Sequence, residues 1–323
     1  MSKLRVAVLY GGRTGEHEVS LNSAESVIRM MDAAKYEVQR ILISTDGRWH
    51  PRAISPEPGG NPDIDVVFPV LHGTFGEDGT VQGLLELADL AYVGAGVLAS
   101  AVSMDKEVQK RLCAASGLPV VEYFVIRRDH AGTHSHFPYP LFVKPANLGS
   151  SVGISKIKSH DELAGAIELA AQFDRKIIVE RGIIGREFEC SVLGNESPKA
   201  SLPCEILPSR DFYDYEDKYL LNQAQTVVPA DLTAEQTQEI QRLAVACYQA
   251  VECEGMARVD FLLETATGKF FINEINTIPG FTSISMYPKM WEASGLAYPA
   301  LIDRLIELAM ERHEARRATR YSR

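Results

Sequence analysis

The stretch Met256–Thr282, MARVDFLLETATGKFFINEINTIPGFT, decides how the rest of the chain is read. Its pattern predicts two β-strands, Ala257–Glu264 and Lys269–Asn273, joined by a turn through Thr265–Gly268. Successive side chains on a strand point to opposite faces, so Glu274 shares a face with Asn276, and Arg258 with Asp260. The two pairs meet only if Asp260 lies opposite Glu274. That register needs an odd loop or a β-bulge and excludes a simple two-residue hairpin. Val259, Phe261 and Leu263 then line the opposite face, while Leu262, Phe270 and Ile272 interrupt the polar one. Carboxylates among large apolar side chains need a partner. Two carboxylates and an amide oxygen suit Mg²⁺ with a bound polyphosphate, although each residue alone would be an ordinary polar group on a solvated strand.

The chain has 323 residues, enough for two or three domains. With 46% hydrophobic and 24% charged residues it has the composition of an ordinary globular protein. A net charge of −10 argues against a general nucleic-acid surface. No apolar run is long enough to span a bilayer, and the start leads directly into a strand, so no membrane partner and a cytoplasmic location are expected. Five cysteines, odd in number and without a CxxC pair, read as reduced, buried thiols. The Arg-rich end from Glu311 reads as a solvated helical extension with no assigned role.

Outward from the hairpin, the pattern predicts an α/β beginning. Leu4–Tyr10 is a near-continuous apolar run of the kind buried on both faces, followed by Gly11-Gly12 and a helix from Ser20 to Met31. Glu16 and Glu18 at that turn suit an ammonium group better than an anion. Strands at Val38–Ser44 and Asp65–Leu71 follow, and the latter runs into the glycine-rich loop His72–Thr80 at the strand edge where open α/β sheets bind ligands. A helix is expected over Ser100–Leu112. Pro140–Pro145 carries one charge, Lys144, in an apolar strand, and Asn147–Gly153 is a small-residue loop able to fold over phosphate. It is not a P-loop, because the lysine precedes it. Strands Lys176–Glu180 and Arg186–Val192 place Glu180 and Glu187 near a cleft. Pro203–Pro229 reads as a long irregular segment rich in aromatics, either a lid or a variable insertion.

Taken together, these pieces resemble the ATP-grasp superfamily, and within it the D-alanine–D-alanine ligases. The resemblance rests on Gly11-Gly12 with Glu16 and Glu18-Val19-Ser20, His72-Gly73 with Gly76-Glu77-Asp78-Gly79, Ser103–Lys106, Val143-Lys144-Pro145 with Gly149–Gly153, Phe212–Tyr215 with Lys218-Tyr219, Arg258-Val259-Asp260, and Asn273–Thr277 with Pro279-Gly280. They occur in the family's order over nearly the whole chain. Thr14, where serine is usual, is a tolerable hydroxyl swap. The resemblance implies an α/β, three-domain ATP-grasp fold: a Rossmann-like domain over 1–104, a central subdomain over 105–187 and a C-terminal subdomain over 188–323, with a lid at about 206–229.

The same resemblance implies ATP and two Mg²⁺ (or Mn²⁺) ions as cofactors, D-alanine as substrate and a homodimer. Lys106, Lys144 and Lys218 would meet phosphate oxygens under a cover formed by Ser150, Ser151 and Val152. Glu180 and Glu187 would hold adenine and ribose, with Arg181, Ile183, Phe212 and Asn273 also at the nucleotide. Asp260, Glu274 and Asn276 would hold the metal. Glu16 and His72 would bind the first D-alanine, and Glu16, Ser150 and Tyr219 would close the lid, tyrosine favouring a dipeptide product. Arg258 and the Gly280 amide would stabilise an oxyanion, and Ser285 would meet the second carboxylate. The alternatives are a D-alanine–D-lactate ligase, another carboxylate–amine ligase, and a silent nucleotide sensor. The sensor is disfavoured because the metal ligands and Arg258 are all present.

Overall fold

Leu4–Gly11 (β1) forms the centre of the first sheet because its apolar side chains are buried on both faces, with Val6, Ala7, Val8 and Leu9 all fully inaccessible. It pairs in parallel with Tyr36–Ile43 (β2) and Val66–Pro69 (β4). Trp49–His50 (β3) and Ala91–Tyr92 (β5) complete the order β3-β2-β1-β4-β5. The helices His17–Met30 (α1) and Thr80–Leu87 (α2) connect these strands. The computed structural model describes residues 3–128, 135–149, 152–207 and 225–320.

The single helix expected over Ser100–Leu112 is two, Val97–Met104 (α3) and Lys106–Ala115 (α4). Asp105 is the reason. Its Oδ1 accepts from the amides of Glu107 and Val108, both at 3.1 Å, capping a new helix whose first residue is Lys106.

A small antiparallel sheet follows, with Tyr123–Arg127 (β6), Leu141–Pro145 (β7), Ser155–Ile157 (β8) and Lys176–Arg181 (β9) in the order β6-β9-β7-β8. Leu163–Phe173 (α5) covers one face, packing Leu163, Ala166, Ile167 and Ala170 against Leu141, Val143, Ile177 and Val179. The other face carries Lys144, Ile178 and Glu180.

The third sheet orders Gln225–Val227 (β13), Cys204–Leu207 (β12), Gly185–Leu193 (β10), Met256–Glu264 (β14) and Phe270–Asn276 (β15), with Lys199–Ala200 (β11) beside β10. The segment Pro203–Pro229 is therefore not irregular throughout. Its two ends, β12 and β13, pair antiparallel with each other, and residues 208–224 between them lie outside the described part. Ala234–Ala250 (α6) begins with a capping box between Thr233 and Gln236 and buries Ile240, Leu243 and Tyr248 against β10, β14 and β15.

Met286–Ala293 (α7) and Tyr298–Arg317 (α8) return to the first sheet, where Leu301, Ile302 and Leu305 join the core around Val6, Val8 and Phe68. The Arg-rich end is solvated over residues 314–320, all exposed, and Arg312 is the exception. Arg312 is 5% exposed, donates to the carbonyls of Gly94 and Tyr92, and its guanidinium lies over the Tyr92 ring at 4.3 Å. Arg316 and Arg317 pair with Glu86 and Asp89. All five cysteines are free and buried, as expected.

Candidate active site

The hairpin β14–β15 closes with four residues, Thr265–Gly268, between the paired Glu264 and Lys269. An even loop alone would set Asp260 opposite Asn273. A register shift between Asp260 and Phe261 adds one residue to β15, so Asn273 bulges and Asp260 pairs with Glu274 and Arg258 with Asn276. The same-face convergence required of the carboxylates is present, by way of the bulge. The bulge also overturns part of the expected pattern. Phe270 and Ile272 lie in the core, beside Phe261 and Leu263, and Phe271 takes the place opposite Leu262 on the polar face.

On that face Arg258 grips Asp260 with two 2.7 Å bonds, Nε to Oδ1 and Nη2 to Oδ2, and its Nε lies 3.4 Å from Glu189 Oε2. Burial disfavours the guanidinium charge, but Asp260 and Glu189 together hold Arg258 protonated well above its ordinary range. Asn276 donates Nδ2–H to Asp260 Oδ2 at 3.1 Å, which leaves its carbonyl oxygen as an acceptor. Among the described residues no three His, Cys, Asp or Glu side chains form a cage for an ion by themselves. Asp260, Glu274 and Asn276 are a partial oxygen set, which fits a hard cation completed by phosphate oxygens and water.

Facing this hairpin are the lysines of α4 and the small sheet. Lys106 Nζ donates to Leu148 O at 2.8 Å and lies 3.5 Å from Glu274 Oε2. Lys144 Nζ lies 2.7 Å from Glu180 Oε2 and 3.5 Å from Asn273 Oδ1, so the bulged residue is the one that reaches the opposite sheet. Glu180 is 3% exposed. Burial opposes its ionisation, but Lys110 and Lys144 outweigh it and hold its carboxyl below the ordinary range. Arg181 spans the sheets, pairing with Glu122 at 2.8 Å and Glu264 at 2.6 Å while its guanidinium lies over Phe271. Its side chain is thus committed. Ile183 lies half-buried in the link to β10, and Glu187 opposite Leu262 on the polar face.

The loops at the C-terminal edge of the first sheet supply the third wall. Glu16 is the first residue of the α1 turn, and Gly73, at φ +71°, passes so close that a Cβ there would meet its Oε2 at 2.7 Å. A Cβ on Gly149 would lie 3.5 Å from the same oxygen, so the Asn147–Gly149 loop reaches Glu16. His72 is buried. The Ile278 carbonyl, 3.1 Å from its Nδ1, can only accept, so Nδ1 carries the proton and Nε2 faces the Ser23 hydroxyl at 3.3 Å. Burial pushes His72 below its ordinary range, against the pull of Glu16, and keeps it neutral.

Glu77 accepts from the amides of Gly73 at 2.8 Å and Ile278 at 3.2 Å, clasping the loop before Gly280 to the first domain. Burial, helped by Glu16, pushes its carboxyl up to about 8. The Phe281 amide donates to Ser23 Oγ at 3.3 Å, and Tyr298 holds the Phe281 carbonyl at 2.7 Å. Gly280 therefore sits in a loop fixed on both sides. A Cβ at Gly280 would meet Ser285 Oγ at 2.7 Å, and Ser285 is the N-cap residue of α7, whose amides open toward the loop. A cavity of about 400 Å³ lies just behind these loops, lined by Gly12, Trp49, Leu71, His72 and Thr74, and by no residue of the two antiparallel sheets.

The structure thus brings together Glu16, His72, Gly280 and Ser285 on one side, and Lys106, Lys144, Glu180, Arg258, Asp260, Asn273, Glu274 and Asn276 across it. Val152, whose amide donates to Gly149 O at 3.3 Å, is where the described part of its loop resumes. Ser150, Ser151, Phe212, Lys218 and Tyr219 lie outside the described residues. Sequence reading missed Ser23, Glu77, Lys110, Lys176 and Glu189. Glu77 stood within the His72–Gly79 motif and so had a signal; the others depend on contacts between distant strands.

The family described as D-ala D-ala ligase C-terminus matches residues 112–307, and its N-terminal counterpart matches residues 5–61 and 55–95. The chain is 66% identical over 324 residues to a D-alanine–D-alanine ligase of Solibacter usitatus, covering 99% of this chain and 100% of the relative. Among solved structures, the D-alanine–D-alanine ligase of Coxiella burnetii superposes with a TM-score of 0.88 at 41% identity, covering 98% of this chain and 97% of that one. The VanG D-Ala:D-Ser ligase of Enterococcus faecalis superposes with a TM-score of 0.88 at 36% identity, covering 95% and 100%.

Proposed function

The chain belongs to the D-alanine–D-alanine ligase family, and from that membership we propose how its own residues divide the work. The fold is ATP-grasp, and the enzyme joins two D-alanines to D-alanyl-D-alanine at the expense of ATP, for peptidoglycan precursor synthesis. A carboxylate does not react with an amine at neutral pH. The first D-alanine carboxylate therefore attacks the γ-phosphorus, breaking its bond to the β,γ-bridging oxygen and releasing ADP. The second D-alanine's amine then adds to the acyl phosphate, and the tetrahedral intermediate loses phosphate and a proton to give the dipeptide.

The observation that carries the residue roles is the meeting of lysine ammonium groups with side-chain oxygens across the cleft, Lys106 with the Glu274 carboxylate and Lys144 with the Asn273 amide oxygen, each at 3.5 Å. Lys106 and Lys144 neutralise phosphate oxygens, joined by Lys218 from the lid. Ser150, Ser151 and Val152 cover the phosphates. Glu180, Glu187, Ile183, Phe212 and the backbone at Arg181 hold the nucleoside. Asp260, Glu274 and Asn276 would hold Mg²⁺ or Mn²⁺, which would supply charge neutralisation to the polyphosphate. Glu16 holds the first ammonium beside neutral His72, and with Ser150 and Tyr219 closes the lid. Arg258 and the Gly280 amide receive the oxyanion, and Ser285 with the open amides of α7 receives the second carboxylate.

The proposed domain boundaries at 104/105 and 187/188 fall between α3 and α4 and inside β10. We further propose a cytoplasmic homodimer; no helix among the described residues is long and apolar enough to cross a membrane. Light scattering at micromolar concentration reads the dimer directly.

The deciding assay follows phosphate release and product mass with ATP and D-alanine, then with D-lactate added. Dipeptide from D-alanine alone is the expected result. A wild-type enzyme that makes no dipeptide, or only depsipeptide, sinks the reading.

A further inference from the structure

Lys110 lies one helical turn beyond Lys106 on α4, and its side chain has no exposed surface. Its Nζ is 3.0 Å from Glu180 Oε1, while the other oxygen of the same carboxylate is 2.7 Å from Lys144 Nζ. The remaining polar neighbourhood is sparse: the Tyr123 ring at 5.9 Å and the Cys113 thiol one turn on. A neighbouring lysine, Lys176, is not available to replace it, because Asp105 and Glu107 hold its ammonium at 2.5 and 2.8 Å. Burying a lysine is costly, and an apolar side chain at this place on α4 would pack against the same core without that cost.

Without Lys110, Lys144 and Glu180 would form a neutral pair, and a ligand's phosphates would meet an ammonium whose charge is cancelled by its own counter-ion. With it, two ammonium groups share one carboxylate and the cluster keeps one net positive charge in a water-poor cleft, where charge acts over longer distance than in solvent. We propose that Lys110 is a positioning residue for ATP: it satisfies Glu180 so that Lys144 presents an uncancelled positive charge to the polyphosphate. This rests on the nucleotide reading of the cleft. Burial holds the Lys110 ammonium below its ordinary range against the pull of Glu180, and the carboxylate itself is held ionised.

The test compares binding of ATP, ADP and adenosine to the full-length enzyme by calorimetry, because only a charge effect scales with phosphate. Lys110→Met is expected to weaken ATP by about tenfold or more, ADP by less, and adenosine by less than about twofold. Equal losses for all three ligands, the mark of a merely structural role, overturn the proposal, as does no loss at all. Lys110→Met/Glu180→Gln removes the carboxylate together with its partner, which also guards against misfolding of the single variant. Its ATP-to-adenosine affinity ratio is expected to return to within about threefold of wild type, since Lys144 then has no counter-charge to share. A ratio that stays as low as in Lys110→Met overturns the inference. Wild-type enzyme that binds no ATP would instead remove the functional reading beneath it.

Discussion

Against the small sheet two ammonium groups, Lys110 of α4 and Lys144 of β7, share the single carboxylate of Glu180, whereas on the large sheet one guanidinium, Arg258, sits among Glu189, Asp260 and Glu274. Both clusters lie on the cleft face of an antiparallel sheet backed by an apolar face, the first completed by a helix lysine. They differ in which sign is left over. A surplus of cation suits phosphate and a surplus of carboxylate suits a metal ion, so a metal–polyphosphate complex is complementary to the pair and to neither cluster alone. Lys106, the first residue of α4, touches the acidic side through Glu274 and closes the gap.

The comparison is most severely tested at Arg258, the one cation of the acidic cluster. Arg258→Ala is expected to retain ATP binding and lose turnover by about a hundredfold or more, as other oxyanion donors do. Stopped-time product assays beside nucleotide titration separate the two effects. Near-normal turnover removes Arg258 from the chemistry. Next in size is Asp260→Asn, expected to raise the Mg²⁺ concentration for half-maximal rate by roughly tenfold or more, because an anionic ligand becomes a neutral one. An unchanged Mg²⁺ requirement would show that the hairpin is not the metal site.

Much of this contrast was legible in the sequence, because motif residues lie in a fixed order and strand alternation says which of them share a face. Asp260, Glu274, Asn276, Lys106 and Lys144 could be named that way. The bulge at Asn273 could only be required, not located, since an extra strand residue leaves no side-chain sign; Phe270 and Ile272 were assigned to the wrong face for that reason. Lys110, Glu189 and Ser23 act through partners 70, 69 and 258 positions away, or so nearly that no local pattern marks them. Arg312 could not be told from the solvated arginines after it, because nothing local shows that α8 returns to the first sheet.

Glu77 sharpens the comparison from outside both clusters, as a carboxylate that the fold holds protonated rather than paired. Its folded value, about 8, lies above the ordinary 4.5, so its stabilising contribution is complete below the ordinary value and is lost as pH rises through 8. Because the residue is only half-buried, the effect is discounted to about 2 kcal/mol. Chemical denaturation between about pH 4 and 9, a range that brackets both values, should show that loss in wild type and a flatter profile in Glu77→Gln. Parallel profiles would mean that Glu77 does not carry the proton.

The smallest effect is expected at Arg312, which resembles Arg258 in being a buried arginine but is held mainly by backbone carbonyls, with one carboxylate, Glu254, at 4.0 Å. Its guanidinium donates to the Gly94 and Tyr92 carbonyls and covers the Tyr92 ring, fastening α8 to the end of β5. Lysine keeps the charge but has neither the planar fork nor the stacking surface. Arg312→Lys should therefore cost about 1 kcal/mol of stability, seen as a modest fall in Tm, with kcat and the KM for ATP unchanged in the folded enzyme. A change in kcat at unchanged Tm would break the distinction between a cleft arginine and a fastening one, and would tie the docking of α8 to the geometry of the Ser23–Phe281 loop that α1 and Tyr298 jointly hold.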